Sequence, residues 1–145
     1  MVPVVIVELG QSVNLTCAFE MKYQSNTWLY WFKQSAGDTL NLIVMQQRTT
    51  SPMYQPEFNN SRFKITYTDH GSNLTILSIV EQDEGMYHCS QKDTLESTWS
   101  GTYLSIKDKR MYSAAIFAMM KIDNTKRKKI AERQMIFVAI KAFGR

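Results

Sequence analysis

The first 106 residues predict an all-β fold, two antiparallel sheets packed as a sandwich. Three observations carry that prediction. Short runs of β-branched and aromatic residues recur between turn signals roughly every 8–12 residues. Several runs alternate apolar and polar side chains with period 2, the pattern of a half-buried strand. No run in this part keeps the 3.6-residue period of an amphipathic helix, and no internal repeat is present.

The elements follow in order. Residues 4–9 are apolar and β-branched, and Gly10-Gln11-Ser12 breaks the run. Val13, Leu15 and Cys17 alternate with Asn14, Thr16 and Ala18. Residues 28–34 are rich in aromatics, and a turn at 35–38 leads to a strand over 40–45. Pro52 and Pro56 mark irregular, loop-rich chain. Phe63 and Ile65 alternate within 62–67, and residues 69–72 form a turn. Leu74, Ile76 and Ile79 follow with polar residues between them. Residues 81–85 make a polar corner before strands at 86–91 and 101–106. The total is about eight or nine short strands.

The net charge of +4 conceals a division. Residues 1–106 hold six Lys/Arg and ten Asp/Glu, whereas 107–145 hold eleven and three. A nucleic-acid partner read from the overall basic balance is therefore excluded for the folded part. The chain divides into a domain over 1–106 and a basic extension over 107–145. Cys17 and Cys89 are too few to assign a redox compartment, and distant cysteines are commonly buried thiols. Cys17 has no Cys or His near it and Cys89 has only the adjacent His88, which is not a zinc-ligand spacing, so no metal or other cofactor is expected. The start lacks the basic region of a secretion signal, and no apolar run reaches the roughly 18 residues of a membrane helix.

Cys17, Trp31 and Cys89 are spaced as in one fold, and Tyr87 stands two residues before the second cysteine. With Gly10-Gln11-Ser12-Val13, Trp31-Phe32-Lys33-Gln34, Arg62-Phe63 and Gly101-Thr102-Tyr103-Leu104, these residues resemble the immunoglobulin superfamily V-set. The likeness covers about residues 2–106. It implies a Cys17–Cys89 bridge between the sheets, closing a loop worth roughly 4 kcal/mol in chain-entropy terms. It implies that Trp31 packs on the bridge, that Leu74 is a core residue, and that Tyr87 bonds back to the corner near Asp83. Arg62 and Asp83 look like the ion pair across one end of such a sandwich. As a partly exposed pair it is expected to contribute about 0–1 kcal/mol.

Strand parity directs Trp31 and Cys89 inward, so Phe32, Gln34 and His88 point outward. The resemblance adds Leu40 to that outer face. In related variable domains the matching face pairs with a second variable domain. The joining pattern Phe-Gly-x-Gly-Thr is replaced here by Thr98-Trp99-Ser100-Gly101-Thr102. The bulge and aromatic contact it supplies are thus in doubt, and the ending looks like that of novel immune-type receptors of bony fish. The loops over 22–27, 46–55 and 90–98 are the second candidate site, with Lys22, Tyr23, Gln47, Lys92, Asp93 and Leu95 as contacts. Asn14, Asn59 and Asn73 each open an Asn-x-Ser/Thr sequon. Asn14 and Asn73 lie on strands opposite the buried Leu15 and Leu74 and are expected to be exposed.

No catalytic residue is expected. His70 lies in a turn, His88 faces outward, and the corner explains Asp83 beside Glu84. The expected partner is a protein ligand or a second immunoglobulin-like domain, not a nucleic acid or a small-molecule substrate. The resemblance implies an extracellular or cell-surface place, as a receptor's ligand-recognition domain. One alternative is adhesion through the outer sheet; another is a receptor fragment without independent function. Residues 124–142 form a basic, amphipathic stretch that would suit a membrane surface as a helix. The other reading of the extension is that it is not a working segment at all.

Overall fold

Val13–Ala18 shows how the alternation becomes structure: along this strand Leu15 and Cys17 are buried and Asn14 and Thr16 exposed. The computed structural model describes residues 2–19, 26–35, 39–58, 61–93 and 97–107. Among these it has nine strands: β1 (Val4–Val7), β2 (Val13–Ala18), β3 (Trp28–Gln34), β4 (Leu40–Gln47), β5 (Met53–Tyr54), β6 (Phe63–Tyr67), β7 (Gly71–Ile76), β8 (Gly85–Lys92) and β9 (Ser97–Ile106). They form a six-stranded sheet in the order β1-β9-β8-β3-β4-β5 and a three-stranded sheet in the order β2-β7-β6. All pairs are antiparallel except β1 with β9.

The two sheets enclose one apolar layer. Leu15, Leu74 and Ile76 from the small sheet meet Leu29, Trp31 and Leu104 from the large one, each 2 % exposed or less. Cys17 and Cys89 bridge the layers as a disulfide, with Cα atoms 6.3 Å apart and 72 residues between them in sequence. Trp31 stands directly opposite Cys89 in the β3–β8 register. Its indole N–H donates to Ser72 Oγ at 3.0 Å, which satisfies a donor buried in an apolar layer.

Two details differ from the sequence reading. β5 occupies the proline-flanked chain between Pro52 and Pro56, where only loop was expected. It is an edge strand of two residues, a position that tolerates neighbouring prolines. The Arg62–Asp83 pair is also more than a surface feature. The Asp83 side chain is only 5 % exposed, and its carboxylate accepts from the Arg62 guanidinium and from the Val80 N–H at 2.9 Å. Arg62 donates as well to the carbonyls of Leu77 and Ser78. Loss of Arg62 would leave a carboxylate buried and unpaired, which costs about 3–5 kcal/mol rather than the 0–1 of an exposed pair.

Candidate protein-binding face

The six-stranded sheet has a second face, turned away from the core. Aromatics at alternate positions of β3 place Trp28, Tyr30 and Phe32 in a row on it. Their rings stack at 6.2 Å and 5.8 Å between centroids, and Trp99 of β9 continues the row at 5.6 Å from Phe32. Leu40, Leu42 and Met45 of β4 close one flank. A register shift lets β4 serve both faces: Val44 pairs with Trp31 and Leu42 with Phe32, so Ile43 is the extra residue and joins the core. On the other flank Met86 and Tyr103 pack with Val2.

Parity therefore puts Phe32, Gln34, Leu40 and His88 on the face expected, but their exposure differs from expectation. Phe32 is 0 %, Leu40 3 % and His88 4 % exposed, and Gln34 is half-buried. Parity gives the side each residue faces, and on that side Phe32 and Leu40 pack in one cluster with Tyr30, Leu42 and Met45. His88 Nε2 lies 3.1 Å from Gln34 Oε1, so this polar pair is joined side by side on the face. Ser90 Oγ and the indole N–H of Trp99 are buried here without a hydrogen-bond partner. Burial pushes the Tyr30 phenol above its ordinary pKa. The buried apolar clusters on this face, among the described residues, are made of its own strands and Val2.

Of the loop candidates, the described ones, Gln47, Lys92 and Asp93, lie at the Trp28 end of the sheet. Gln47 and Lys92 are strand residues rather than loop residues, and both pair with Trp28 across β3. The third connection is shorter than expected because β8 and β9 stay paired out to Lys92 and Ser97, leaving residues 93–96. Asp93 is half-buried beside it. Lys22, Tyr23, Leu95 and the sequon residue Asn59 lie outside the described residues, as does the basic stretch of 124–142. Asn14 is exposed as expected, and Asn73 is half-exposed.

Trp99 is the residue that sequence reasoning missed. The β8–β9 register runs without a break from Gly85 against Leu104 to Lys92 against Ser97, so the bulge of the joining pattern is absent. The aromatic contact nevertheless persists, supplied by Trp99. The signal was available: an aromatic two positions before Gly101, on a strand separated from the aromatic-rich β3 only by β8.

The immunoglobulin V-set domain model matches residues 2–107. The chain belongs to the immunoglobulin V-set family. A rat protein, Ig kappa chain V region S211, is 29 % identical over 99 residues, covering 68 % of this chain and 85 % of that protein. A chain from the structure reported as "Structural basis of T cell specificity and activation by the bacterial superantigen toxic shock syndrome toxin-1" superposes with a TM-score of 0.62 at 25 % identity. That alignment covers 71 % of this chain and 92 % of the other. V-set domains are non-enzymatic, bind protein ligands or other immunoglobulin domains, and belong to extracellular or cell-surface molecules. Among the described residues no helix is long and apolar enough to cross a membrane.

Proposed function

We propose that this V-set domain is the ligand-recognition module of a cell-surface or secreted immune receptor, and that contact is made through the outer face of the six-stranded sheet. One observation carries the reading. A continuous row of stacked aromatics, Trp28, Tyr30, Phe32 and Trp99, flanked by Leu40, Leu42 and Met45, lies on the side of the sheet away from the second layer. A flat sheet face of this composition is a surface to be covered by another protein surface. Phe32, Leu40, Trp99 and Tyr30 supply the apolar centre, and Gln34 with His88 supplies a polar pair within it. Gln47, Lys92 and Asp93 extend the contact at the Trp28 end. The unbulged Trp99-Ser100-Gly101-Thr102 strand favours an innate type of receptor, like those of bony fish, over a rearranged one.

The test is binding of fluorescent tetramers of the chain to cell surfaces, compared across variants whose melting curves match the parent. Trp99→Ala and Gln34→Ala should lower binding at least tenfold. Lys64→Glu, on the exposed side of the small sheet, should leave it unchanged. Equal loss by all three variants would overturn the proposed face. A homophilic adhesion role is the second reading, since one apolar face suits a two-fold pair. It predicts self-association in sedimentation at micromolar concentration, lost in Trp99→Ala.

A further inference from the structure

Two of the three sequons meet on the small sheet. In the β2–β7 register Asn14 stands opposite Thr75, Leu15 opposite Leu74 and Thr16 opposite Asn73. Leu15 and Leu74 are 1 % and 0 % exposed, so the period of the strand turns the other four residues outward together. The two Asn-Leu-Thr triplets thus run antiparallel, and the asparagine of each faces the threonine of the other. The contacts are reciprocal. The Thr16 hydroxyl donates to Asn73 Oδ1 at 2.9 Å, and the Thr75 hydroxyl donates to Asn14 Oδ1.

This geometry bears on modification. In both asparagines the amide oxygen is engaged across the strands, and neither bond uses Nδ2. Nδ2 is the atom that carries an N-linked glycan. A glycan on either asparagine therefore leaves both cross-strand hydrogen bonds intact. The two asparagines are diagonal neighbours, about 7–8 Å apart at the backbone, on the side of the sheet facing away from the core.

We propose that Asn14 and Asn73 are glycosylated together in one molecule, forming a paired glycan cover over the outer side of the small sheet. In each reaction Nδ2 displaces the pyrophosphate of a lipid-linked oligosaccharide donor from C1 of its first sugar. An N–C1 bond forms, the C1–O bond to pyrophosphate breaks, and one amide proton leaves. The cover lies on the layer opposite the proposed binding face, so it shields one side of the sandwich and leaves the other for the partner. The inference rests on the extracellular reading of the domain.

The experiment expresses the full 145-residue chain behind a heterologous secretion leader in a eukaryotic host. Glycans are removed enzymatically in 18O water, which marks each occupied asparagine as labelled aspartate for peptide mass spectrometry. Intact mass counts the glycans per molecule. The expected result is a dominant species labelled at both Asn14 and Asn73. Thr16→Val should remove the glycan at Asn14 alone and Thr75→Val that at Asn73 alone, while Thr16→Ser and Thr75→Ser keep both. A secreted chain never occupied at both positions would overturn the proposal, including one occupied at Asn59 only. Since the leader forces export, that failure is distinct from failure of the receptor reading, which would show as a doubly glycosylated chain that binds no cell surface.

Discussion

Tyr87 donates its phenol O–H to the Asp83 carbonyl at 2.5 Å from a position that is 0 % exposed. Burial raises its pKa far above the ordinary tyrosine value, with the Asp83 carboxylate adding to the rise and Arg62 opposing it. The native state therefore keeps the phenol protonated where the unfolded chain, with a pKa of about 10, does not. Stability from this group is complete below pH 10 and is lost as pH rises beyond it. Tyr87→Phe should cost about 1–3 kcal/mol at pH 7, because the buried Asp83 carbonyl loses its partner. Above pH 10 the same variant should lose stability less steeply, by up to about 1.4 kcal/mol per pH unit. Urea midpoints taken from pH 7 to 11 check both effects. Tyr87 and its corner were legible in the sequence because the motif is local: donor and acceptor lie four residues apart. The depth of Asp83 was not, since burial is the work of residues distant in the chain.

At the scale of elements, the small sheet is held close by one glycine. Gly71 begins β7 opposite Ala18 of β2. A Cβ placed there would lie 2.6 Å from the Cys17 carbonyl oxygen, with backbone and not a flexible side chain in the way. The residue's backbone is not left-handed, so the requirement is for space. Gly71→Ala should push the two strands apart and cost about 1–3 kcal/mol, visible as a lower urea midpoint. In the sequence Gly71 reads only as a turn residue, because the close approach belongs to a strand more than 50 positions away. The β8–β9 hairpin shows the same limit. The lost joining motif signalled a missing bulge, but only the register shows that the strands pair on to Ser97 and set Trp99 against Phe32.

At the scale of the whole molecule, the Cys17–Cys89 bridge ties the two layers at their centre. Its long loop makes the bridge a large constraint on the unfolded chain, roughly 4 kcal/mol, against the 5–15 kcal/mol typical of a domain. The double variant Cys17→Ala, Cys89→Ala should lose about 3–5 kcal/mol, through both the missing crosslink and the space left beside Trp31. Urea unfolding of parent and variant at equal concentration measures it. A parent that unfolds at the same midpoint with its disulfide reduced would contradict this assignment of stability.

The amino-acid order by itself determined the strands, their parity, the sandwich and the family likeness. These depend on alternation and on a few residues at characteristic spacing, both of which are properties of the chain read locally. Only the tertiary structure decided what each face becomes. Phe32, Leu40 and His88 point where parity places them, yet they are buried there, Phe32 and Leu40 in one cluster with Tyr30, Leu42 and Met45. Asn14 and Asn73 are two sequons in the chain, and the β2–β7 register makes them a reciprocal pair. The physical reason is common to both cases. A strand's pattern specifies which side a residue faces, and register across strands far apart in sequence specifies what it meets there.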